Sequence, residues 1–220
     1  MTIHLDVWQV RTTAIGGALW RMARDPYVLR GLPGLQFHKS LGTGAGRRFT
    51  AADADLHQWA LLTCWSGSDL AAGPTLRRWG RLAVSHTRFT LATISSHGRW
   101  SGQDPFTQET LVRGWTGPVA AITRARVRTG QWRAFQAAVP PVAAALDDQP
   151  GLRYRIGIGE APVGLQGTFS VWNDAAAVRD FAYALPAHRE VIEQTRARDW
   201  YSEELFARFA LLEVTGDSPW

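Results

Sequence analysis

The chain has 220 residues, 45% hydrophobic and 20% charged, so it can bury a substantial core in one large or two small domains. Its net charge of +5 comes from arginines that are spread along the chain without a short basic run, which argues against nucleic acid as a partner. A single cysteine, Cys64, excludes a disulfide framework and a cysteine-based metal site.

The termini and the apolar content predict the location of the protein. No stretch reaches the roughly 18 apolar residues of a membrane span, so we expect no integral membrane segment. The first residues include Asp6 and Gln9 and have no apolar run of signal-peptide length. We therefore expect a cytoplasmic protein, and a peripheral position at a membrane stays open. Eleven tryptophans suit a core, an interface or a pocket for a large flat or apolar ligand.

The first part of the chain predicts the order strand, helix, strand, strand, helix, strand. Alternating side chains and turn residues predict strands at 3–11, 35–41, 58–65 and 87–94. Helices are predicted at 17–24, where Pro26 and the Gly31–Gly34 region should end the helix, and at 68–82. Residues 42–57, rich in Gly and Ala, are predicted to form a loop. This is the βαββαβ order of a ferredoxin-like unit.

The same order returns after a predicted linker. Strands are predicted at 119–128, at 167–172 and at 205–214, and another strand ends within the stretch 150–172. Helices are predicted at 130–139, at 174–183 and, after Pro186, at 186–200. The second half therefore predicts another βαββαβ unit.

Two short similarities connect the halves. Residues 33–37, PGLQF, resemble residues 150–154, PGLRY, and Trp65 ends a predicted strand as Trp172 does. We predict an α+β fold formed by tandem duplication of a ferredoxin-like βαββαβ unit, of the dimeric α/β-barrel type, within one chain. Residues 1–97 would form the first repeat, 98–118 the linker and 119–216 the second repeat. Two such units commonly pair their sheets face to face with helices outside. We expect the function to lie where the copies differ.

His188 is the first candidate for chemistry. It follows Pro186, where the second copy's last helix starts again, and helical spacing places it on one face with Val191 and Ile192. An imidazole there suits an axial ligand to iron. A histidine that only packs against its neighbours or caps the helix fits the same pattern, and both readings stay open.

His38 is the second candidate. It lies in the middle of a predicted strand beside Lys39, and its counterpart in the second copy is Arg155. It is either a polar residue on a sheet surface or a pocket residue that donates hydrogen bonds to a ligand or to bound oxygen.

Three arginines share one face of a predicted strand, because Arg124, Arg126 and Arg128 alternate with Ala125 and Val127. One interpretation pairs these charges with acids such as Asp6 or Glu160. The other has one or more of them neutralise the carboxylates of a cofactor.

Several familiar motifs are missing from the sequence. The glycine-bearing turns 42–46 and 157–159 lack the helix and the ribose-binding acid of a dinucleotide site, so we expect tight turns or close backbone approach. The sequence also lacks a Gly-x-Ser-x-Gly elbow, an HExxH motif and paired metal-ligand spacing. Hydrolytic chemistry is therefore not expected.

A family resemblance rests on seven segments that occur in a fixed order. They are PGLQFHKSLGTGAGRRFT, GRWSGQDPF, GPVAAITRARV, RIGIGEAP, QGTFSVW, FAYALPAHREVI and WYSEELFARF. Together they resemble the spheroidene monooxygenase family, the acyclic carotenoid 2-ketolases. The resemblance implies a haem-containing, O2-dependent monooxygenase with a dimeric α+β-barrel type of fold. This fold class also includes chlorite dismutases, aldoxime dehydratases and haem-degrading monooxygenases.

The resemblance also implies roles for single residues. In several proteins of this fold class a histidine on a helix ligates the iron, which maps onto His188 as the ligand of haem b. His38 and Arg155 would direct polar groups towards bound oxygen or the propionates. Other residues expected at the cofactor are Lys39, Trp65, Trp172, Val191 and Ile192.

The partners implied by the resemblance are an apolar substrate such as a carotenoid, O2 and an external electron donor such as a ferredoxin. A homodimer is compatible with this fold class. Two other functions stay open. One is a haem enzyme without oxygenase activity, of the aldoxime dehydratase or nitrogen-oxide type, and the other is a non-enzymatic carrier of haem or an apolar ligand.

Overall fold

Eight antiparallel strands form a closed barrel that carries helices on its outside. The computed structural model describes residues 1–46, 51–67, 69–106, 112–132, 134–135, 137, 146, 149–161, 167–184 and 200–220. The strands are β1 Thr2–Val10, β2 Leu35–Gly44, β3 Ala54–Trp65, β4 Ala83–Gly98, β5 Val119–Val127, β6 Leu152–Gly159, β7 Gly167–Trp172 and β8 Tyr201–Gly216. Within the described residues the α-helices are α1 Ile15–Leu29, α2 Gly73–Gly80 and α3 Ala175–Ala184.

The strand order is the same in the two halves of the barrel. The first half, β1 to β4, has the order β4-β1-β3-β2, and the second half, β5 to β8, has the order β8-β5-β7-β6. The halves share edges, because β2 pairs with β6 and β4 pairs with β8. The expected pair of separate sheets is therefore one closed sheet whose two halves face each other across the core. Closure leaves neither half with a free edge along these pairings.

The register of the strands repeats as well. Thr2 of β1 lies opposite Trp65, and Val119 of β5 lies opposite Trp172. The neighbouring pairs β2–β3 and β6–β7 begin at the same two tryptophans, opposite Leu35 and Leu152, and each has a register shift within the next two residues. Trp65 and Trp172 thus hold equivalent positions in the two halves.

Alternation along each strand separates an inner from an outer face. The inner face is an apolar core drawn from all eight strands, with the linker residues Trp100 and Phe106 packed into it. Aromatic rings meet edge to face there, as Phe106 does with Phe209 at 4.9 Å between ring centres. The interior of the barrel is therefore filled with side chains, and the helices cover the outer faces.

The first helix continues through Pro26 to Leu29, so it ends just before the predicted Gly31–Gly34 region and not at Pro26. A proline inside a helix removes a backbone hydrogen bond and costs about 3 kcal/mol. Burial of Ala18, Met22 and Leu29 against the sheet offsets that cost. Tertiary packing rather than local propensity decides the length of this helix.

The strands are longer than predicted wherever they close the barrel. The predicted loop 42–57 begins inside β2, because residues 42–44 pair with β6, and it ends inside β3. β4 and β8 extend over sixteen residues each, since they pair with each other along most of their length. Local alternation did not reveal these partners.

Two of the other predicted helices overlap the α-helices α2 and α3 of the structure. The prediction at 68–82 is confirmed in part, as a short 3-10 turn at Leu70–Ala72 followed by α2. The prediction at 174–183 agrees with α3, where the Asp174 carboxylate accepts hydrogen bonds from the backbone N–H of Ala176 and Ala177 and caps the helix. In 130–139, residues 130–132, 134–135 and 137 are described, and they begin with a 3-10 turn at Thr129–Gln131. Nearly all of 186–200 lies outside the described residues.

Candidate functional site

The outer faces of the two halves carry different side chains at equivalent positions. The equivalent tryptophans place each β1 residue 117 positions before its β5 counterpart, and each β3 residue 107 positions before its β7 counterpart. The outward-facing pairs are His4 with Ala121, Asp6 with Thr123, Trp8 with Ala125, Leu61 with Thr168 and Thr63 with Ser170. Large or charged groups of the first half are small in the second.

Helix packing fills the outer face of the first half. Trp8 stacks on Trp79 of α2 at 4.9 Å between ring centres, and Trp59 lies beside them. The Trp79 indole N–H donates to Asp25 of α1 at 2.8 Å, which ties both helices to the same aromatic group. Burial raises the pKa of Asp25, and this hydrogen bond with the nearby arginines opposes the rise. We find no room for a large flat ligand in this close packing.

A charged network continues this packing between β1 and β4. The fully buried Asp6 carboxylate accepts hydrogen bonds from His86 at 2.7 Å and from two nitrogens of Arg88 at 2.8 and 3.0 Å. Burial alone would raise the pKa of Asp6, but these partners outweigh it and lower the pKa. Arg88 also donates to Asp69 at 2.7 Å. The network is satisfied internally and is structural.

The outer face of the second half is lined by small residues and bordered by aromatic ones. Ala125 and Ser170 are buried there, at the positions that Trp8 and Thr63 hold in the first half. An aromatic group stands at one end of this face and consists of Trp132, Phe135, Trp200 and Tyr201. We call this surface the second outer face.

One buried donor in this region has no partner in the described part of the protein. The Trp200 side chain is fully buried, and its indole N–H makes no hydrogen bond. A buried polar group usually has a partner, and leaving one unpaired costs about 1–3 kcal/mol. A flat ligand with acceptor groups would suit both this donor and the small side chains.

Trp172 belongs to the second outer face, where it is held by its neighbours. Its indole N–H donates to Ser170 at 2.9 Å, and its ring packs against Phe181 of α3 at 5.4 Å. The equivalent Trp65 is fully buried in the first half, and its indole N–H has no partner among the described residues. Both rings support the wall of their own half.

The predicted iron ligand lies outside the described residues. His188 and its helical neighbours Val191 and Ile192 all fall in 185–199, so their roles stay predictions. Among the described residues, no group of three His, Cys, Asp or Glu side chains forms a metal-binding arrangement.

His38 and Arg155 are far apart, although they are equivalent in the two halves. In the β2–β6 pairing Gly44 lies opposite Gly157, so Arg155 is level with Gly46. The Arg155 guanidinium donates to the carbonyl of Gly46 at 3.5 Å. The eight residues of strand between Gly46 and His38 span about 26 Å. These two side chains therefore do not act on the same ligand atom.

His38 itself is a neutral imidazole with spare hydrogen-bonding capacity. Burial lowers its pKa, and the positive charges of Lys39 and Arg30 lower it further. Its Nδ1 is buried and has no partner among the described residues. The side chain lies on the outer face of β2, so it is available to a ligand of the first half.

Lys39 lies on the opposite face of β2 and points into the barrel. Its ammonium donates to Glu160 and to Ser101, both at 2.6 Å. Glu160 also accepts from Trp100 at 2.9 Å and from Arg124 at 2.7 Å. We call Lys39, Trp100, Arg124, Glu160 and Glu203 the barrel-mouth cluster, since it lies where β4 ends and β8 begins.

The barrel-mouth cluster decides the role of the arginine face. Arg124 is 2% exposed and pairs with both Glu160 and Glu203, and Arg126 approaches Glu160 at 3.8 Å. The structural interpretation is therefore confirmed for these two arginines with Glu160. Asp6, the other acid considered, pairs elsewhere.

Glu203 was missed by sequence reasoning, together with its contacts to the linker. Its carboxylate accepts hydrogen bonds from the backbone N–H of Ser101 and Gly102 at 3.0 and 2.7 Å. Ser101 has a positive φ of 56° and Gly102 one of 75°, a tight turn that aims both N–H groups at the carboxylate. The turn lies in the GRWSGQDPF segment of the linker, and its partner Glu203 comes from near the end of the chain.

Close backbone contact explains one glycine motif. Gly46 has φ 63°, and a Cβ placed on it would lie 3.1 Å from the Cα and N of Gly157. The expected role of these glycines in close approach is confirmed here.

Burial strongly raises the pKa of Cys64 in the core, so this thiol stays protonated and is not a nucleophile.

Three curated proteins named spheroidene monooxygenase are similar to the chain. The protein of Rhodobacter capsulatus is 31% identical over 93% of this chain and 87% of its own length. The protein of Rubrivivax gelatinosus is 34% identical over 84% of this chain and 72% of its own length. That of Cereibacter sphaeroides is 32% identical over 90% of this chain, which spans 62% of the length of that relative. No family model matches the chain.

Two solved structures show the same fold. An aldoxime dehydratase has a TM-score of 0.59 at 12% identity, covering 96% of this chain and 80% of its own. Another aldoxime dehydratase, in complex with butyraldoxime, has a TM-score of 0.53 at 9% identity. The match covers 96% of this chain and 79% of that protein. Within the described residues, no helix combines the length and apolarity needed to cross a bilayer. By its identity to the three relatives, the chain belongs to the spheroidene monooxygenase family of oxidoreductases.

Proposed function

We propose that the chain is a haem-dependent monooxygenase that oxidises an apolar, carotenoid-like substrate with O2. The observation that carries this proposal is the 31–34% identity to three spheroidene monooxygenases over 84–93% of the chain. The reaction class consumes one O2 and two electrons with two protons, places one oxygen atom on a substrate carbon and releases the other as water. The two electrons come from an external donor such as a ferredoxin.

The second outer face supports haem b as the cofactor. Ala125 and Ser170 are smaller than Trp8 and Thr63 at the equivalent positions of the first half, which suits a flat macrocycle on this face. The Trp200 N–H has no partner among the described residues and suits a carboxylate acceptor. When bound, haem supplies the activation of O2. In this proposal His188 would hold the iron, and Val191 and Ile192 would be its apolar neighbours.

The other residues act by orientation and exclusion of water. Trp172, fixed by Ser170 and Phe181, forms part of the apolar wall. Arg155 is positioned by Gly46 and provides a positive charge on β6 for a propionate or a polar substrate group. Lys39 is held inside the barrel by Glu160, so we now assign it to barrel stability instead of cofactor contact.

His38 receives a separate role in this proposal. His38 lies far from Arg155 along the sheet, so we place its role in the first half. Its neutral imidazole can donate a hydrogen bond to a polar group there or accept one. We therefore propose that His38 affects substrate or oxygen access and is not an iron ligand.

We further propose that the chain arose by duplication of one βαββαβ unit. The repeated strand order and the equivalent register at Trp65 and Trp172 support this. The repeats keep the proposed bounds, 1–97 and 119–216 around the linker 98–118. The association of two ferredoxin-like sheets is already made within this one chain, through the β2–β6 and β4–β8 pairings.

Absorption spectroscopy of the purified protein tests the cofactor. We expect a Soret band in the wild type and loss of most of it in His188→Ala, with imidazole in the buffer partly restoring the spectrum. His38→Ala should keep the band and lose activity. An unchanged spectrum in His188→Ala with loss in His38→Ala would reverse the two roles.

Turnover separates the remaining functions. A monooxygenase requires both O2 and a reductant for product formation. Conversion of an aldoxime without O2 would instead identify a dehydratase, and a haem iron without an exchangeable position would identify a carrier. A colourless protein after expression with a haem supply would exclude all three.

A further inference from the structure

The outer surface of α1 exposes aromatic side chains in a single row. Helical spacing aligns Gly16, Trp20, Ala23 and Tyr27 on one stripe. Trp20 is 60% exposed and Tyr27 is 70% exposed, and Leu19 beside them is 37% exposed. Arg24 is also exposed and lies on the same side of the helix between Trp20 and Tyr27, so a positive charge stands among the aromatic rings.

The opposite side of α1 already meets the needs of the fold. Ala18, Met22 and Leu29 are buried against the outer face of the first half. The aromatic stripe therefore adds nothing to the packing of the barrel. Exposed apolar groups of this kind mark surfaces that bind another molecule.

The charges around the stripe are all positive. The two helices and their flanking turns, residues 11–34 and 70–82, expose six arginines: Arg11, Arg24, Arg30, Arg77, Arg78 and Arg81. Asp25 is the only acidic residue in these two ranges, and it is buried against Trp79. The helical layer of the first half thus presents aromatic rings surrounded by uncompensated positive charge. We call it the arginine-aromatic face.

This charge pattern selects the partner. A second copy of the chain in a symmetric contact would bring Arg24 and Arg30 of each copy close to the same positive charges. Tryptophan and tyrosine favour the interface between water and hydrocarbon, where an apolar ring and a polar tip are both satisfied. Arginines around such rings are attracted to anionic headgroups.

We propose that the arginine-aromatic face binds the surface of an anionic lipid bilayer, with Trp20 and Tyr27 inserted at headgroup level. Arg30 supports this arrangement, because its guanidinium lies 5.6 Å from the Tyr27 ring centre and can follow the ring to the headgroups. The interaction is peripheral and salt-dependent. It is independent of the proposed oxidation chemistry.

Vesicle co-sedimentation of the purified 220-residue protein tests the proposal. We expect binding to vesicles of phosphatidylcholine with 30% phosphatidylserine and much weaker binding to phosphatidylcholine alone. Arg24→Gln should weaken binding about fivefold, since a surface arginine contributes about 1 kcal/mol near an anionic bilayer. The double variant Trp20→Ala with Tyr27→Ala should weaken it at least about tenfold.

Matched controls come from exposed residues of the same type elsewhere. Trp220 is 54% exposed and Arg179 is exposed on α3, so Trp220→Ala and Arg179→Gln should bind vesicles like the wild type. Circular dichroism melts show whether each variant is folded.

Three results would overturn the proposal. The first is equal sedimentation of wild type and the double variant, or no sedimentation with anionic vesicles. The second is binding to a DNA oligonucleotide that Trp20→Ala weakens while vesicle binding is unaffected. The third is a dimer in analytical ultracentrifugation that Trp20→Ala converts to monomer without a change in vesicle binding.

Discussion

The two halves of the barrel have the same strand order and the same register, yet their outer faces are used differently. In the first half Trp8 is stacked between Trp79 and His86 over a buried Asp6 network. In the second half the equivalents of Trp8 and Asp6 are Ala125 and Thr123. In the first half the helices are thus fixed to the sheet by large and charged side chains, and the second half has small side chains at the equivalent positions. Equivalent backbone positions therefore carry side chains of very different size and charge in the two halves.

Removal of the stacked tryptophan should have the largest effect on stability. We expect Trp8→Ala to lower the free energy of unfolding by about 3–5 kcal/mol, because a large fully buried ring leaves a cavity. Urea unfolding followed by circular dichroism measures it. Trp220→Ala, an exposed tryptophan, should cost under about 1 kcal/mol. Equal losses of unfolding free energy in the two variants would mean that the Trp8 stack does not stabilise the first half.

Substitution of the buried Asp6 carboxylate should have the second largest effect on stability. Asp6→Asn leaves Arg88 and His86 without their anion, and we expect a loss of about 3 kcal/mol in the free energy of unfolding. The equivalent change in the second half, Thr123→Val, should cost under about 0.5 kcal/mol because Thr123 is exposed. Comparable losses at both positions would remove the difference between the halves.

Filling the second outer face tests the proposed cofactor site. Ala125→Trp recreates the first-half residue in the second half, and we expect haem per chain to fall about tenfold, equal to about 1.4 kcal/mol of binding free energy. The ratio of Soret to protein absorbance measures this. Ala176→Trp, on the exposed side of α3, should keep its haem. Full haem content in Ala125→Trp would place the cofactor elsewhere.

The barrel-mouth cluster joins both halves and should respond to pH. Burial alone would raise the pKa of Glu160, but Lys39 and Arg124 outweigh it and lower the pKa below its ordinary 4.5. A lowered pKa adds stability that is complete above the unfolded pKa and is lost as pH falls through the folded pKa. At pH 7 we expect Glu160→Gln to cost about 1 kcal/mol of unfolding free energy.

The pH profile supplies the control for that variant. The difference in unfolding free energy between wild type and Glu160→Gln should shrink once the pH drops below about 4.5. A difference that stays constant from pH 7 to pH 3 would show that Glu160 contributes by packing and not by its charge.

Individual predictions succeeded where the signal was local. The α3 helix begins at the capping Asp174, which the sequence shows directly. The duplicated PGL motifs and the equivalent tryptophans correctly indicated matching strands. Pro26 misled the prediction of α1, because burial of one helix face outweighed the local penalty.

The candidate site was harder to predict than the elements. Lys39 and His38 are neighbours in sequence, but alternation sends one into the barrel and the other outside. The two side chains therefore face opposite sides of β2, and their roles at a cofactor stay predictions. His38 and Arg155 looked like partners by equivalence, whereas antiparallel pairing of β2 with β6 separates them.

The sequence by itself determined the order of strands and helices, the repeat of that order and the family, because alternation, capping residues and ordered motifs are local properties. Tertiary structure decided which charges meet. Lys39 and Glu160 are 121 residues apart in the chain and 2.6 Å apart in space. Closure of the barrel through β2–β6 and β4–β8 brings them together, and no local pattern encodes a contact between strands from different halves.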